Sequence, residues 1–423
     1  MSLLPIGRSL PPAARSTAIA AVLLALAPGV GHAAPLSFDA AVTLADQTAP
    51  SLAARQADVD AASHARLAAG RLPDPKVRFG LDNFPVSGPP AGRFGADNMT
   101  SASISFSQEL PNEAKRRAER RRADADIDAA HASTDVQRRN VKLNTALAWM
   151  DLHFAEKRLA ALDEIERALA PMRTSAPSQL AAGTARPAEA LEAEQLTATL
   201  GDRRAELAAA VGKARAELVR WTGDAQAETV GEAPELGVDE GALRAAVRRH
   251  PLLETFDAMG RQAEADRDVA RAGKIPDINF DVGYQRRDPA FGDMVTAGVT
   301  ISLPLWGSTR QDPIIAAREA SAHRARLERE DAERALAAQL NADLADHVMH
   351  HDQWMRSQST LVPLARKKAE LETASYAGGN ASLSNVLTAL LGLAEARIED
   401  LNREAEVKRD AVRINFTYGS DAR

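Results

Sequence analysis

The chain has 423 residues, 45% of them hydrophobic but only 4% aromatic, so most apolar side chains are too small to fill a thick globular core and suit closely packed helices. The absence of cysteine excludes a disulfide scaffold, thiolate metal sites, a cysteine nucleophile and a lipidated N-terminal cysteine. A formal net charge of −6 argues against nucleic acid as a partner, and a mean hydropathy of −0.27 excludes a bundle of membrane-spanning helices.

The first segment reads as an export signal. Arg8 and Arg15 precede the apolar run Ala18 to Ala27, a Pro28-Gly29 break follows, and small residues surround Ala33 and Ala34, where cleavage is expected. The apolar run is too short to span a bilayer. Removing residues 1–34 takes the formal charge from −6 to −8. Any membrane insertion by the remainder must use strands.

From there the chain repeats itself, with 35–235 and 236–423 as the two units. A helical segment from Phe38 to Ala69 stops at Gly70, and Leu72-Pro73-Asp74-Pro75 leads into a strand pair within 76–108. Val77, Phe79 and Leu81 alternate with polar residues, as do Ala102, Ile104 and Phe106 after a Pro- and Gly-rich loop from Asn83 to Asn98. A helical hairpin is predicted over 112–221, with a first arm to Met172 and its turn from Pro171 to Pro187. The second unit opens with a helical segment from Asp239 to Ala272. Its strand pair, within 277–304, alternates Ile278, Phe280, Val282 and Tyr284, then Val295, Ala297, Val299, Ile301 and Leu303. A second hairpin follows over 312–416, one arm running unbroken to Tyr376 and turning at Ala377-Gly378-Gly379-Asn380.

Period two gives each strand one wet and one apolar face. Strands of eight to ten residues cross a bilayer when tilted, but four cannot close a barrel and lipid forbids an open edge, so several chains must share one. Arms of some 60 residues would make rods of about 90 Å.

In order and repeat the sequence resembles the TolC-type outer-membrane factor (outer membrane efflux protein) family. The motifs are Leu36-Ser37-Phe38-Asp39-Ala40-Ala41, Ser105-Phe106-Ser107-Gln108-Glu109-Leu110-Pro111, its repeat partner Thr300 to Trp306, and Tyr376-Ala377-Gly378 with Val386-Leu387-Thr388-Ala389. The resemblance implies a mostly α fold with a small β part: coiled-coil hairpins forming a periplasmic tube, and four membrane strands per chain that make a twelve-stranded barrel in a homotrimer. It also implies a cell outer-membrane location and partners in a periplasmic adaptor and an inner-membrane RND-type pump. A narrower similarity to the branch that serves metal-exporting pumps rests on Leu72 to Lys76, Asp82-Asn83-Phe84-Pro85 and Asn112 to Arg117.

Several side chains are candidates for function. Phe79, Phe106, Phe280, Tyr284 and Trp306 are expected at the membrane interfaces. The family's periplasmic gate often has carboxylates after the second tip, where this chain has Asn385 and Thr388; their repeat counterparts, Glu189 and Glu192, share a helix face and would form carboxylate rings in a trimer. His347, His350 and His351 lie at i, i+3 and i+4, which suits either a metal site or a polar stripe. The basic run Lys115-Arg116-Arg117 and Arg120-Arg121-Arg122 is expected to face headgroups or the barrel rim. No phosphate loop, HExxH, nucleophile elbow or cofactor motif is present, so no enzyme is expected. The competing readings are a periplasmic coiled-coil adaptor without membrane strands and a soluble metal-binding chaperone.

Overall fold

The computed structural model describes residues 35–181, 187–225 and 227–419. The chain opens with two helices, α1 (Phe38–Thr48) and α2 (Pro50–Ala68), then strands β1 (Lys76–Asp82) and β2 (Ser101–Leu110), and a hairpin of α3 (Glu113–Ala181) and α4 (Pro187–Thr222). The same order recurs as α5 (Glu240–Val247), α6 (Pro251–Ala272), β3 (Asp277–Arg286), β4 (Met294–Ser302), α7 (Asp312–Arg356), α8 (Val362–Ala377) and α9 (Leu383–Tyr418).

Proline divides what the periodicity joins. The predicted helix over Phe38 to Ala69 is two helices, because Ala49 is extended and Pro50 begins α2, a position where its missing N–H costs nothing. Asp239 to Ala272 divides in the same way, with Pro251 starting α6 and His250 capping it through Nδ1, 3.1 Å from the Leu252 N–H. At Pro171 the opposite correction applies. The expected turn does not begin there, and α3 continues to Ala181, since a single proline removes one backbone bond and can be carried within a long helix. At 69 residues α3 is about 100 Å long. The arm predicted as unbroken from Asp312 to Tyr376 is interrupted by a π turn, Ser357–Leu361, and another π turn, Gly307–Gln311, precedes it.

The four strands form one antiparallel sheet in the order β1-β2-β3-β4, the two units meeting at the β2–β3 pair. Below the sheet, α3 packs against α2, α4, α6 and α9, and α7 packs against α6 and α9. Gly70 makes a tight join between the end of α2 and the start of α3. Its φ is +64°, and a Cβ there would lie 2.4 Å from the Arg116 carbonyl oxygen, so only glycine fits both the backbone and the space.

The core follows the small-residue composition. Its main cluster sets Trp149, Met150, Leu152 and Phe154 of α3 against Phe38, Leu218 and Val412, with alanines between them. Ser37 caps α1 through the Ala40 N–H at 3.3 Å, while Phe38 meets Trp149 edge-on with centroids 5.5 Å apart. Leu36 bridges to Thr229, and its carbonyl accepts the Trp149 indole N–H at 2.8 Å. The opening Leu-Ser-Phe motif thus fixes the chain start to the middle of the longest rod.

Candidate conduction surfaces

Strand register settles what each face carries. Directly paired residues share a face, so Phe79, Ile104, Tyr284 and Val295 form one row across the sheet. Val77, Phe106, Val282 and Ala297 form the next, and Phe280 pairs with Val299 and Gln108 in the third. Among the described residues nothing covers this face: Phe79 is 77% exposed and Val282 52%. The opposite face carries Arg78, Ser105, Gly283 and Thr296 in one row and Lys76, Ser107, Asp281 and Gly298 in another. Within it Ser107 donates to the Asn279 side chain at 3.0 Å. An apolar exterior over a hydroxyl-rich interior is the pattern of a strand wall between lipid and water.

Four of the five interface candidates therefore lie on the apolar face. Phe79 and Tyr284 share the row nearer the loops, and Phe106 and Phe280 lie nearer the helices. Trp306, 67% exposed, stands beyond β4 on the helical side. At the outer end Arg287 donates to the carbonyls of Gly292 at 2.7 Å and Asn98 at 3.1 Å, which ties the two strand loops together.

The join of sheet to rods centres on Asn112. Its backbone N–H donates to Asp277 Oδ1 at 2.7 Å, its amide donates to the carbonyls of Ala272 and Ile275, and its Oδ1 caps α3 by accepting the Lys115 N–H at 2.8 Å. The basic run beyond it is used differently from expectation. Lys115 pairs with Asp277, Arg116 and Arg120 with Glu113, Arg121 with Asp268, and Arg122 with Asp126 and Asp266. Acidic residues on α6 and within α3 thus hold most of this charge, stitching α3 to α6.

At the far end of the rods, Asn385 and Thr388 are exposed on the first turns of α9, where the Ser382 hydroxyl caps the helix by accepting the Asn385 N–H at 3.3 Å. Glu189 and Glu192 belong to α4, three residues apart on one helix face, and their side chains lie outside the described residues, as do residues 182–186.

The three histidines do not converge on one centre. His350 Nδ1 lies 2.7 Å from Asp410 Oδ2, while the His347 and His351 rings stand 6.5 Å apart and tilted. Among the described residues no group of three His, Asp or Glu is arranged to hold a metal ion. Instead His350 ends a chain of buried polar contacts between α7 and α9. Asp410, fully buried, also accepts from Arg413 at 2.7 Å, Arg413 lies 3.5 Å from Asp343, and Tyr418 donates to Asp343 at 2.8 Å. Burial and Asp343 together push the Tyr418 hydroxyl pKa up, and burial pushes that of His347 down.

Two other histidines give the body a pH dependence. Burial takes His250 from its ordinary 6.5 to about 4, helped by Arg139, although His250 Nε2 bonds the Thr417 carbonyl at 2.8 Å. Burial does the same to His153, which stacks on Trp149 with centroids 4.8 Å apart. Unfolding returns both rings to 6.5, so between 6.5 and about 4 the unfolded chain binds more protons. Stability is therefore whole above pH 6.5 and falls as pH drops towards 4. The thermal midpoint should decline across that window, and less steeply in a His153→Phe, His250→Gln variant.

A sheet with one exposed apolar face and one polar face, carried on paired helical rods, is the architecture that the comparisons with known proteins also find. Residues 242–420 match the outer membrane efflux protein family model. That match covers the second repeat, which is therefore similar to the outer membrane efflux protein family. Solved structures share the fold over 90% of the chain. They include the CmeC outer membrane channel of Campylobacter jejuni (14% identity, 85% of that chain, TM-score 0.75) and a Pseudomonas aeruginosa membrane protein (16%, 90%, 0.77). The open-state MtrE channel of Neisseria gonorrhoeae is also similar (14%, 88%, 0.71). No curated protein matches the chain in sequence.

Proposed function

We propose that the chain is the outer-membrane channel component of a tripartite efflux system, a passive conduit whose energy comes from an inner-membrane pump of the RND type reached through a periplasmic adaptor. One observation carries this reading: a four-stranded sheet whose apolar face is exposed, whose other face is polar, and whose edge strands, β1 and β4, have no partner on their outer sides among the described residues. Lipid does not tolerate such edges, so copies must join β4 of one to β1 of the next, and three copies give twelve strands. A periplasmic adaptor without membrane strands has no use for this face. In this reading residues 1–34 direct export and are removed, the apolar face meets outer-membrane lipid, and the rods reach across the periplasm.

The reading extends to the tip. Three copies of Glu189 and Glu192 would place six carboxylates around a narrow mouth, which favours cations, metal cations among them. Glu189→Gln with Glu192→Gln should lower the cation preference measured from reversal potentials in planar bilayers, and an unchanged preference would remove this part of the proposal. The whole reading is tested by fractionation: the full-length protein should sediment with outer membranes and need detergent for release. Recovery in the soluble periplasmic fraction would contradict it.

A further inference from the structure

Copies that join β4 of one to β1 of the next must also take a register, and the paired strands alone do not choose it. A slip of one residue turns every side chain to the wrong face, but a slip of two keeps apolar residues in lipid and polar ones in water. The edge strand β4 carries no mark that tells such slips apart. Val295, Ala297, Val299 and Ile301 are aliphatic on one face, and Met294, Thr296, Gly298, Thr300 and Ser302 are uncharged on the other. Two registers keep the faces and pair all seven residues of β1 within β4. One sets Met294 opposite Asp82 and Thr300 opposite Lys76, and the other sets Thr296 opposite Asp82 and Ser302 opposite Lys76. Gly298 then stands against either Arg78 or Gly80 of the next copy.

Charge reaches this edge from one strand further in. Asp281 of β3 leans towards β4 and lies over Gly298: a Cβ on that glycine would stand 2.5 Å from Asp281 Oδ2 and 3.0 Å from Oδ1, so the missing side chain is what admits the carboxylate. Among the described residues Asp281 has no ion-pair partner in its own chain. The opposite edge of the sheet carries the complementary group. The Arg78 side chain, on the polar face of β1, is 76% exposed, and its Nη2 lies 3.9 Å from Asp82 Oδ1 and 3.8 Å from where a Cβ on Gly80 would be. The guanidinium is therefore laid along β1 beside a second glycine, at the level that both registers bring to Gly298. Neighbouring strands are about 4.8 Å apart, so the backbone of Asp281 and that of the next copy's β1 are separated by about 10 Å, a gap that a leaning aspartate and an arginine span together.

We infer that Asp281 of one copy pairs with Arg78 of the next across β4, through the gaps left by Gly298 and Gly80, and that these pairs select the register in which the barrel closes. Opposite charges on facing strands favour a pairing and like charges oppose it. A slip that brought Gly298 to Asp82 of the next copy would set two carboxylates together, so the same aspartate that rewards one alignment penalises its neighbour. The contact lies on the water-lined face, where charge is tolerated. The inference rests on the reading of the chain as a conduit closed by joining copies edge to edge.

Full-length protein purified in detergent should run as a trimer whose dissociation on heating is followed by gel electrophoresis. Asp281→Lys and Arg78→Glu should each lower the dissociation midpoint by about 3 °C or more. The double variant, which restores opposite charges with the signs exchanged, should dissociate above both single variants. A wild type that is monomeric would overturn the joining of copies and with it the conduit reading. A trimer whose midpoint neither reversal moves, or a double variant that dissociates below either single one, would overturn the ion pair alone. A second measurement does not depend on the reversed charges being tolerated. The chain has no cysteine, so copies bearing Asp281→Cys and copies bearing Arg78→Cys can be produced together and treated with a thiol cross-linker of about 10 Å reach. Covalent dimers should appear on denaturing gels. A yield no greater than with Ser103→Cys in place of Arg78→Cys, one strand further from the join, would overturn the pair.

Discussion

Val282→Arg should abolish recovery of the protein from the outer membrane. Val282 sits in the middle of β3, on the apolar face, with Phe106 and Ala297 as its paired neighbours. A guanidinium at the bilayer midplane costs about 2–4 kcal/mol, and copies closing one barrel would each bear that cost. Thr300→Lys offers the contrast, because Thr300 pairs with Asn279 on the polar face and a cation there points into water. Membrane fractionation followed by immunoblotting reads both. The arginine variant should be degraded or found in the soluble fraction, and the lysine variant should partition like wild type. Equal membrane recovery of the two would mean that the apolar face does not meet lipid.

Trp149→Ala should be the most damaging single change in the helical body. Trp149 is fully buried, meets Phe38 edge-on, stacks on His153 and donates its indole N–H to the Leu36 carbonyl. Removing an aromatic side chain of this size from a core costs about 3–5 kcal/mol. Trp149→Phe keeps a ring against Phe38 and loses chiefly the bond to Leu36, worth about 1 kcal/mol. Thermal unfolding in detergent, followed by circular dichroism, should rank the three proteins as wild type, then phenylalanine, then alanine. An alanine variant that melts with wild type would show that the chain start is not fixed through this residue.

The two predictions draw on parts of the sequence that differ in legibility. The sheet could be read almost residue by residue, because period two is a local property and the register then places Phe79, Phe106, Phe280 and Tyr284 together without further information. Long rods were legible for the same reason. Their interruptions were not, since proline acts in opposite ways at positions that look alike: it separates α1 from α2 at Pro50, leaves α3 continuous at Pro171, and produces a π turn ahead of Pro363. Nothing in the residues next to each proline tells these outcomes apart.

Charged residues were harder still. Lys115 to Arg122 read as a surface because their partners Asp277, Asp268 and Asp266 are about 150 residues away in the chain. His350 belonged to an apparent histidine group until Asp410, 60 residues on, claimed it. Asp343, Asp410 and Tyr418 carried no signal of burial, and only the small spacing of α7 from α9 brings them together. The alternation of Asp343 with His347 and His350 along one face was a readable hint that this seam is polar.

Copies of this chain should close a barrel in lipid and conduct through it. Purified full-length protein should be added to planar lipid bilayers and the current recorded at fixed voltage. Wild type should give discrete steps of uniform size, and Val282→Arg none. A folded wild type that stays in solution without detergent and leaves the bilayer silent would contradict it.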